Sequence, residues 1–164
     1  MSEAHHLSDA LVGLVSNPEN GWFTPVVVAI DGLTAEQAVT IPSQGFNSIW
    51  GVINHMSYWQ EFLLLRLRGE TVEQLKAEGK DNWQTIEKPG DEQAWKADCE
   101  HILAVNKELA RFVEGLSDAE LDEPYAEGGS KRYQVIHGII AHNSYHTNEI
   151  ISIRHMLGYW LERT

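Results

Sequence analysis

Apolar residues recur every three or four positions along four long segments of the chain, which is the spacing of one buried face of an α-helix. The predicted helical segments cover residues 4–33, 47–68, 91–115 and 133–157. The first segment is interrupted at residues 17–21, where proline, asparagine and glycine predict a broken helix or two short helices. No segment of the chain gives a convincing strand pattern.

Capping residues predict where two of the helices begin or end. Asn47 or Ser48 can cap the second long helix, and Gly69 can end it. Thr34, followed three residues later by Gln37, has the spacing of a capping box. This pair predicts a short additional helix after the broken first one.

Shorter features are expected between the long helices. Pro25 is predicted in the first turn of the helix after the break, where its missing N–H group does no harm. Residues 79–92 and 122–132 are expected to form loops, and residues 117–121 one extra helical turn. Four long helices with apolar faces predict an all-α four-helix bundle with a broken first helix, as a single domain over residues 1–164. The length of the loops leaves the order of the helices open.

The composition narrows the range of partners. The chain has 164 residues, 43% of them hydrophobic and 22% charged, which is typical of a globular protein. Its net charge of −12 argues against nucleic acid and against an anionic membrane surface as partners, because both require basic patches. There is no signal-peptide pattern and no bilayer-spanning apolar run. A single cysteine, Cys99, excludes an internal disulfide framework, so a cytoplasmic protein is expected.

The fourth helix carries the residues with the clearest chemical meaning. His142 and His146 are four residues apart and lie about 40° apart around the helix, so both rings can reach one point. Glu149 lies about 20° from His142 in the same projection. Two imidazoles and a carboxylate on one inward face are typical of a site for a divalent transition metal.

A third histidine, His55, shares a face of the second helix with Val52, Trp59 and Phe62. Taken alone, a histidine on such a face is more often a hydrogen-bonded core residue than a metal ligand. Three inward histidines would bury six ring nitrogens, and each unpaired polar group costs about 1–3 kcal/mol. One ion would bind three of these nitrogens, so the combination with the pair on the fourth helix predicts a metal centre. The remaining five of the eight histidines are expected to lie outside it.

Residues near the histidine pair, and the single cysteine, limit which reactions the site can catalyse. Residues 143–145 are Asn-Ser-Tyr, so the histidine pair lacks the inserted glutamate of the His-Glu-x-x-His peptidases. Glu149 is predicted as the catalytic residue, although a fourth ligand, a carboxylate that orients a ligand and a plain carboxylate at the bundle edge are alternatives. Cys99 lies within an apolar helical pattern and is expected to be a structural cysteine rather than a nucleophile.

The sequence resembles the DinB-like superfamily of metal-binding four-helix bundles. The resembling segments are Ser48–Met56 on the second helix, Ile136–Ile150 on the fourth, and the aromatic stretch Gly21–Pro25. The resemblance implies that His55, His142 and His146 bind one divalent ion such as nickel or zinc. It also implies an up-down-down-up helix order and a homodimer.

The chain departs from the family pattern directly after the last histidine. Many members have one residue and then Gly-Gln there, whereas this chain has Thr147, Asn148 and Glu149. The larger asparagine adds bulk between helices, and the glutamate adds a negative charge near the metal. We expect metal binding to be retained and the substrate or the reaction to differ.

Four explanations are compatible with the sequence. The resemblance implies a metal-dependent transferase that joins a low-molecular-weight thiol to an electrophilic small molecule. A metal-dependent hydrolase with Glu149 as base, or a non-catalytic metal-binding or stress-related bundle, are alternatives, as is a hydrogen-bonded histidine core without metal. Several aromatic residues could line a substrate entrance or a dimer interface, and residues 158–161 are expected to form a dimer contact or a lid. The aromatic residues in question are Trp50, Trp83, Trp95, Tyr159 and Trp160.

Overall fold

The computed structural model describes residues 1–19, 22–73, 75, 81–125 and 129–161. Within these residues the protein is all-helical, and its only strand-like feature is one isolated bridge between Pro124 and Lys131. The helices are α1 (Glu3–Val15), α2 (Val26–Ala29), α3 (Ala35–Val39), α4 (Ile49–Leu67), α5 (Glu92–Glu114), α6 (Asp118–Leu121) and α7 (Arg132–Met156). None of these helices combines the length and the apolar character needed to cross a bilayer. The all-α prediction is confirmed.

The helix ends follow the predicted capping residues. The Ser48 hydroxyl accepts a hydrogen bond from the Gly51 N–H group (3.1 Å), and Gly69 has a positive φ of 75° after the end of α4. Thr34 and Gln37 form the predicted capping box at the start of α3. These local signals therefore predict the ends of α3 and α4 correctly.

The first segment forms two separate short helices, α1 and α2, rather than one bent helix. Pro25 is the N-cap of α2, with extended backbone angles, so its prediction in the first helical turn is wrong by one residue. Proline has no N–H group to donate, and at the cap position none is needed, because this position lies outside the hydrogen-bonded turn. Asn20 and Gly21 of the predicted break, and residues 79–80 and 126–128 of the predicted loops, lie outside the described residues.

The long helices α1, α4, α5 and α7 form the bundle, and each packs against two of the others. Two apolar clusters fill the interior. One joins the ends of α1 and α7 to the beginnings of α4 and α5, with Leu14, Ile53, Trp95 and Ile153 among its members. The other joins the opposite ends, with Leu7, Leu63, Leu109 and Ile136 among its members. An up-down-down-up order requires this grouping of helix ends, and the order itself stays a prediction.

A buried polar pair lies between α4 and α5. The Asn106 side-chain amide donates to Gln60 Oε1 at 2.8 Å, and both side chains are fully buried. Gln60 Nε2 donates in turn to the Met56 carbonyl at 3.3 Å. Because a buried amide is costly without partners, this pair favours one alignment of the two helices over shifted ones.

Arg154 joins the end of α7 to the connection between α2 and α3. Its side chain is buried, and Nη1 donates to the carbonyls of Ala29 (2.8 Å) and Asp31 (2.9 Å). Its Nε donates to the Tyr159 carbonyl at 3.0 Å. One guanidinium therefore pairs with three main-chain carbonyls from segments that are distant in sequence.

Candidate metal centre

The structure brings His55, His142 and His146 together between α4 and α7. One ring nitrogen from each histidine lies within 4.8 Å of the others. His55 and His146 are buried, and His142 is half-buried. Their meeting follows from the helical spacing, because both histidines of α7 lie on the face that packs against α4.

The ring of His55 is oriented by the connection between α4 and α5. Its Nδ1 lies 2.9 Å from the main-chain carbonyl oxygen of Asn82. A carbonyl oxygen only accepts hydrogen bonds, so Nδ1 must carry the proton. In the neutral ring the lone pair is then on Nε2, which faces the other two histidines.

The ring of His146 is oriented in the same way by Glu149. The distance from His146 Nδ1 to Glu149 Oε2 is 2.7 Å, and the Asn47 side-chain amide donates to Glu149 Oε1 at 2.8 Å. A carboxylate accepts the proton of Nδ1 and leaves the Nε2 lone pair free for an ion. Both carboxylate oxygens are engaged in this arrangement, and the predicted catalytic role of Glu149 stays a prediction.

His142 completes the set. Its Nε2 lies 3.1 Å from His55 Nε2, and its buried Nδ1 has no hydrogen-bond partner among the described residues. Two nitrogens that bind one ion with bonds of about 2.0–2.1 Å lie at most about 4.2 Å apart, and the 3.1 Å between His55 and His142 is within this limit. The donor set of three imidazoles therefore fits a divalent transition metal.

Burial keeps these rings in the form that a metal requires. Burial, followed by the neighbouring His146 and His55, lowers the pKa of His142 to about 4. Burial is also the main cause of the lowered pKa of His55, and the neighbouring His146 acts in the same direction. Both imidazoles are therefore neutral at pH 7, so no proton has to be displaced before an ion binds them.

The three histidines open onto a cleft of about 700 Å³ between α4 and α7. Trp59 and Phe62 line it from α4, and Ile139 lines it from α7. Trp83, from the connection between α4 and α5, stacks on the His55 ring with centroids 4.0 Å apart and an angle of 14°. Of the aromatic residues considered as a substrate entrance, Trp83 is in this position, whereas Trp50 and Trp95 are buried in the core.

Asn82 is a site residue that the sequence did not reveal. Besides its carbonyl bond to His55, its side-chain oxygen accepts from Trp59 Nε1 at 2.7 Å. It lies in a segment without helical periodicity, so no spacing rule connects it to His55 or Trp59. Only the dipeptide with Trp83 in a predicted loop between two helices could have drawn attention to it.

Cys99 and the other histidines take no part in this centre. The Cys99 thiol is half-buried on α5, and burial, followed by the charges of Asp98 and Glu100, raises its pKa to about 12. It therefore remains a protonated thiol and a poor nucleophile at neutral pH. His101 pairs with Glu61 at 3.0 Å, and His137 is exposed on α7.

An all-helical bundle whose adjacent helices bring three imidazoles to one point defines a class of bundles with a histidine cluster that could hold a metal ion. The sequence profile of the DinB superfamily matches residues 26–150 of the chain. The protein therefore belongs to the DinB superfamily, which confirms the resemblance seen in the sequence. No significant match to a curated protein or to a solved structure was found.

Proposed function

We propose that His55, His142 and His146 bind one divalent ion, nickel or zinc, and that the protein transfers a low-molecular-weight thiol to an electrophilic small molecule. The observation that carries the metal proposal is the orientation of two rings. Asn82 and Glu149 accept the Nδ1 protons, so the Nε2 lone pairs converge beside His142. Residues that only stabilised a core would not need this shared direction.

The ion and the protein chain have different roles in the proposed reaction. When bound, the ion supplies a Lewis acid that lowers the pKa of a thiol, so that the thiol loses its proton at neutral pH. His55, His142 and His146 would hold the ion beside the cleft, where a thiol could reach it. The thiol proton passes to solvent and the sulfur forms a bond to the electrophilic carbon. The leaving group then departs with the electron pair of the broken bond.

Two observations favour thiol transfer over hydrolysis. The hydrolase alternative uses Glu149 as its base, but both oxygens of this carboxylate already have partners. No carboxylate is among the described residues that line the cleft, and its apolar walls suit an organic electrophile better than water. The family resemblance points to the same nucleophile.

The transfer activity can be tested on protein reconstituted with nickel or zinc. We expect conjugation of a low-molecular-weight thiol to at least one member of a panel of alkylating electrophiles, at a rate that falls to background after chelation. The Cys99→Ser variant should retain this activity, because the protonated Cys99 thiol takes no part. A metal-loaded protein that is inert across the panel would leave the non-catalytic metal-binding alternative.

Glu149→Ala should weaken metal binding by about 10–100-fold, because His146 loses the acceptor that holds its ring. Glu149→Gln should lose less, since its amide oxygen can still accept the Nδ1 proton. Competition with a chromophoric chelator measures both affinities. Asn148→Ala, on the same helix and exposed, is the matched control and should bind metal like the original chain. An unchanged affinity in Glu149→Ala would refute the orienting role.

The quaternary structure and the location stay predictions. A homodimer is implied by the family resemblance, and the cytoplasm is expected from the sequence. At the chain end, the Trp160 ring is 68% exposed and stacks on the His155 ring with centroids 4.6 Å apart. An exposed tryptophan stacked on a half-buried histidine suits the predicted contact or lid formed by residues 158–161.

A further inference from the structure

Gly138 is a glycine in the interior of the helix α7. It is exposed, lies one helical turn before His142 and lines the cleft. Glycine in a helix interior is less favourable than alanine, because it loses more conformational freedom on folding. Gly138 is not among the glycines with positive φ, and a Cβ atom added to it would meet no other atom within 4 Å. Neither backbone strain nor close packing explains this glycine.

The space in front of Gly138 belongs to the cleft and has largely aromatic walls. Trp59 and Phe62 contact each other edge to face, with ring centroids 5.2 Å apart and an angle of 66°. The Trp59 ring is further fixed by its hydrogen bond to Asn82, and Trp83 stacks on His55. Such fixed rings favour a flat aromatic ligand, which can pack against them by stacked or edge-to-face contacts.

The charge distribution in the cleft disfavours ionic ligands. Among the described residues that line the cleft there is no aspartate, glutamate, lysine or arginine. A buried ionic group would therefore have no partner of opposite charge other than a metal ion at the histidines. The net charge of −12 further disfavours anions. Two of the polar side chains present, Asn82 and Gln134, already accept hydrogen bonds through their side-chain oxygens.

We propose that the cleft binds an uncharged aromatic small molecule, and that Gly138 keeps the space for it. The ligand lies against the bare backbone of Gly138, between the aromatic wall of α4 and Ile139, with one edge towards the three histidines. That this ligand is the electrophile rests on the proposed thiol transfer. Its binding does not, because the walls of the cleft are present in the protein without an ion.

The test compares two probes that differ by one charged group. N-phenyl-1-naphthylamine is uncharged, and 1-anilinonaphthalene-8-sulfonate carries a sulfonate on the same ring system. Fluorescence titration of the protein should show saturable binding of the uncharged probe and at least about tenfold weaker binding of the sulfonate. Gly138→Leu, which fills the cleft, should weaken binding of the uncharged probe by at least about tenfold. The matched control Ala141→Leu adds the same side chain at an exposed position of α7 outside the cleft, and should stay within about twofold.

Further measurements distinguish a failure of the aromatic-site proposal from a failure of the proposed metal chemistry. Gly138→Ala should raise the unfolding temperature by about 2–4 °C, whereas a decrease would show a folding role for the glycine and overturn the proposal. Equal binding of the uncharged probe to Gly138→Leu and Ala141→Leu, or no saturable binding to the original chain, would also overturn it. Metal content is measured on the same samples and should not change in Gly138→Leu. Probe binding as expected in a protein that takes up no metal would refute the proposed metal chemistry and leave the aromatic site standing.

Discussion

Replacing His142 with alanine should remove the metal ion from the protein while leaving the helical fold in place. His142 is half-buried at the edge of the cleft, so the lost side chain leaves no large cavity in the core. The remaining His55 and His146 would offer only two nitrogens, and the affinity should fall by more than about 100-fold, beyond the loss expected for an orienting partner. The original chain should contain about one equivalent of nickel or zinc.

Inductively coupled plasma mass spectrometry on untagged protein measures this loss directly. His137→Ala is the matched control, because His137 lies on the same helix but is exposed and outside the centre. It should retain the full equivalent of metal. If the original chain holds no metal even after reconstitution with both ions, the 3.1 Å contact between His55 and His142 is a hydrogen bond within a structural core. The transfer mechanism would then be wrong.

Replacing Arg154 with methionine should destabilise the protein more than any exposed substitution. The hydrogen bond to the Ala29 carbonyl is buried, and those to the Asp31 and Tyr159 carbonyls are partly buried. All three carbonyls would lose their shared donor. A buried group left unpaired costs about 1–3 kcal/mol, and the two partly buried carbonyls add to this cost, so the free energy of unfolding should fall by about 3 kcal/mol. For a chain of this length that corresponds to a decrease of about 6–12 °C in the unfolding temperature.

Calorimetry or circular dichroism can measure this difference on metal-free protein, which keeps ligand binding out of the comparison. Arg111→Met is the matched control, because Arg111 is exposed on α5, and its effect should stay within about 0.5 kcal/mol. A loss below about 1 kcal/mol in Arg154→Met would show that water replaces the guanidinium at these carbonyls.

Local sequence signals predicted the helices because each signal acts within one or two turns. The apolar spacing, the Ser48 cap and the capping box of Thr34 and Gln37 depend on neighbours three or four residues away. The same spacing placed His142 and His146 on one face of α7. The position of Pro25 was wrong by one residue, because both a cap and a first turn tolerate a missing N–H group.

The partners of the histidines could not be predicted in this way. Asn82 contacts His55 through a main-chain carbonyl in a segment without periodicity, and such a contact leaves no pattern in side-chain types. Asn47 reaches Glu149 across 102 positions of the chain. Spacing placed Glu149 near the metal but left its role open, because the projection around a helix does not specify which atom a carboxylate meets. The open space around Gly138 likewise depends on how the helices pack, so it could not be predicted from the sequence.

The three histidines of the candidate metal centre and part of the wall of the cleft belong to different segments of the chain. The sequences of these segments can change independently of each other. The imidazoles project from two helices whose packing constrains substitution, whereas Asn82 and Trp83 belong to the connection between α4 and α5. Every amino acid carries the main-chain carbonyl that holds His55, so position 82 can change without losing that bond. Substitutions in residues 81–90 can therefore alter which molecule enters the cleft while the three imidazoles keep their places. Relatives with the same histidines can in this way come to act on different substrates.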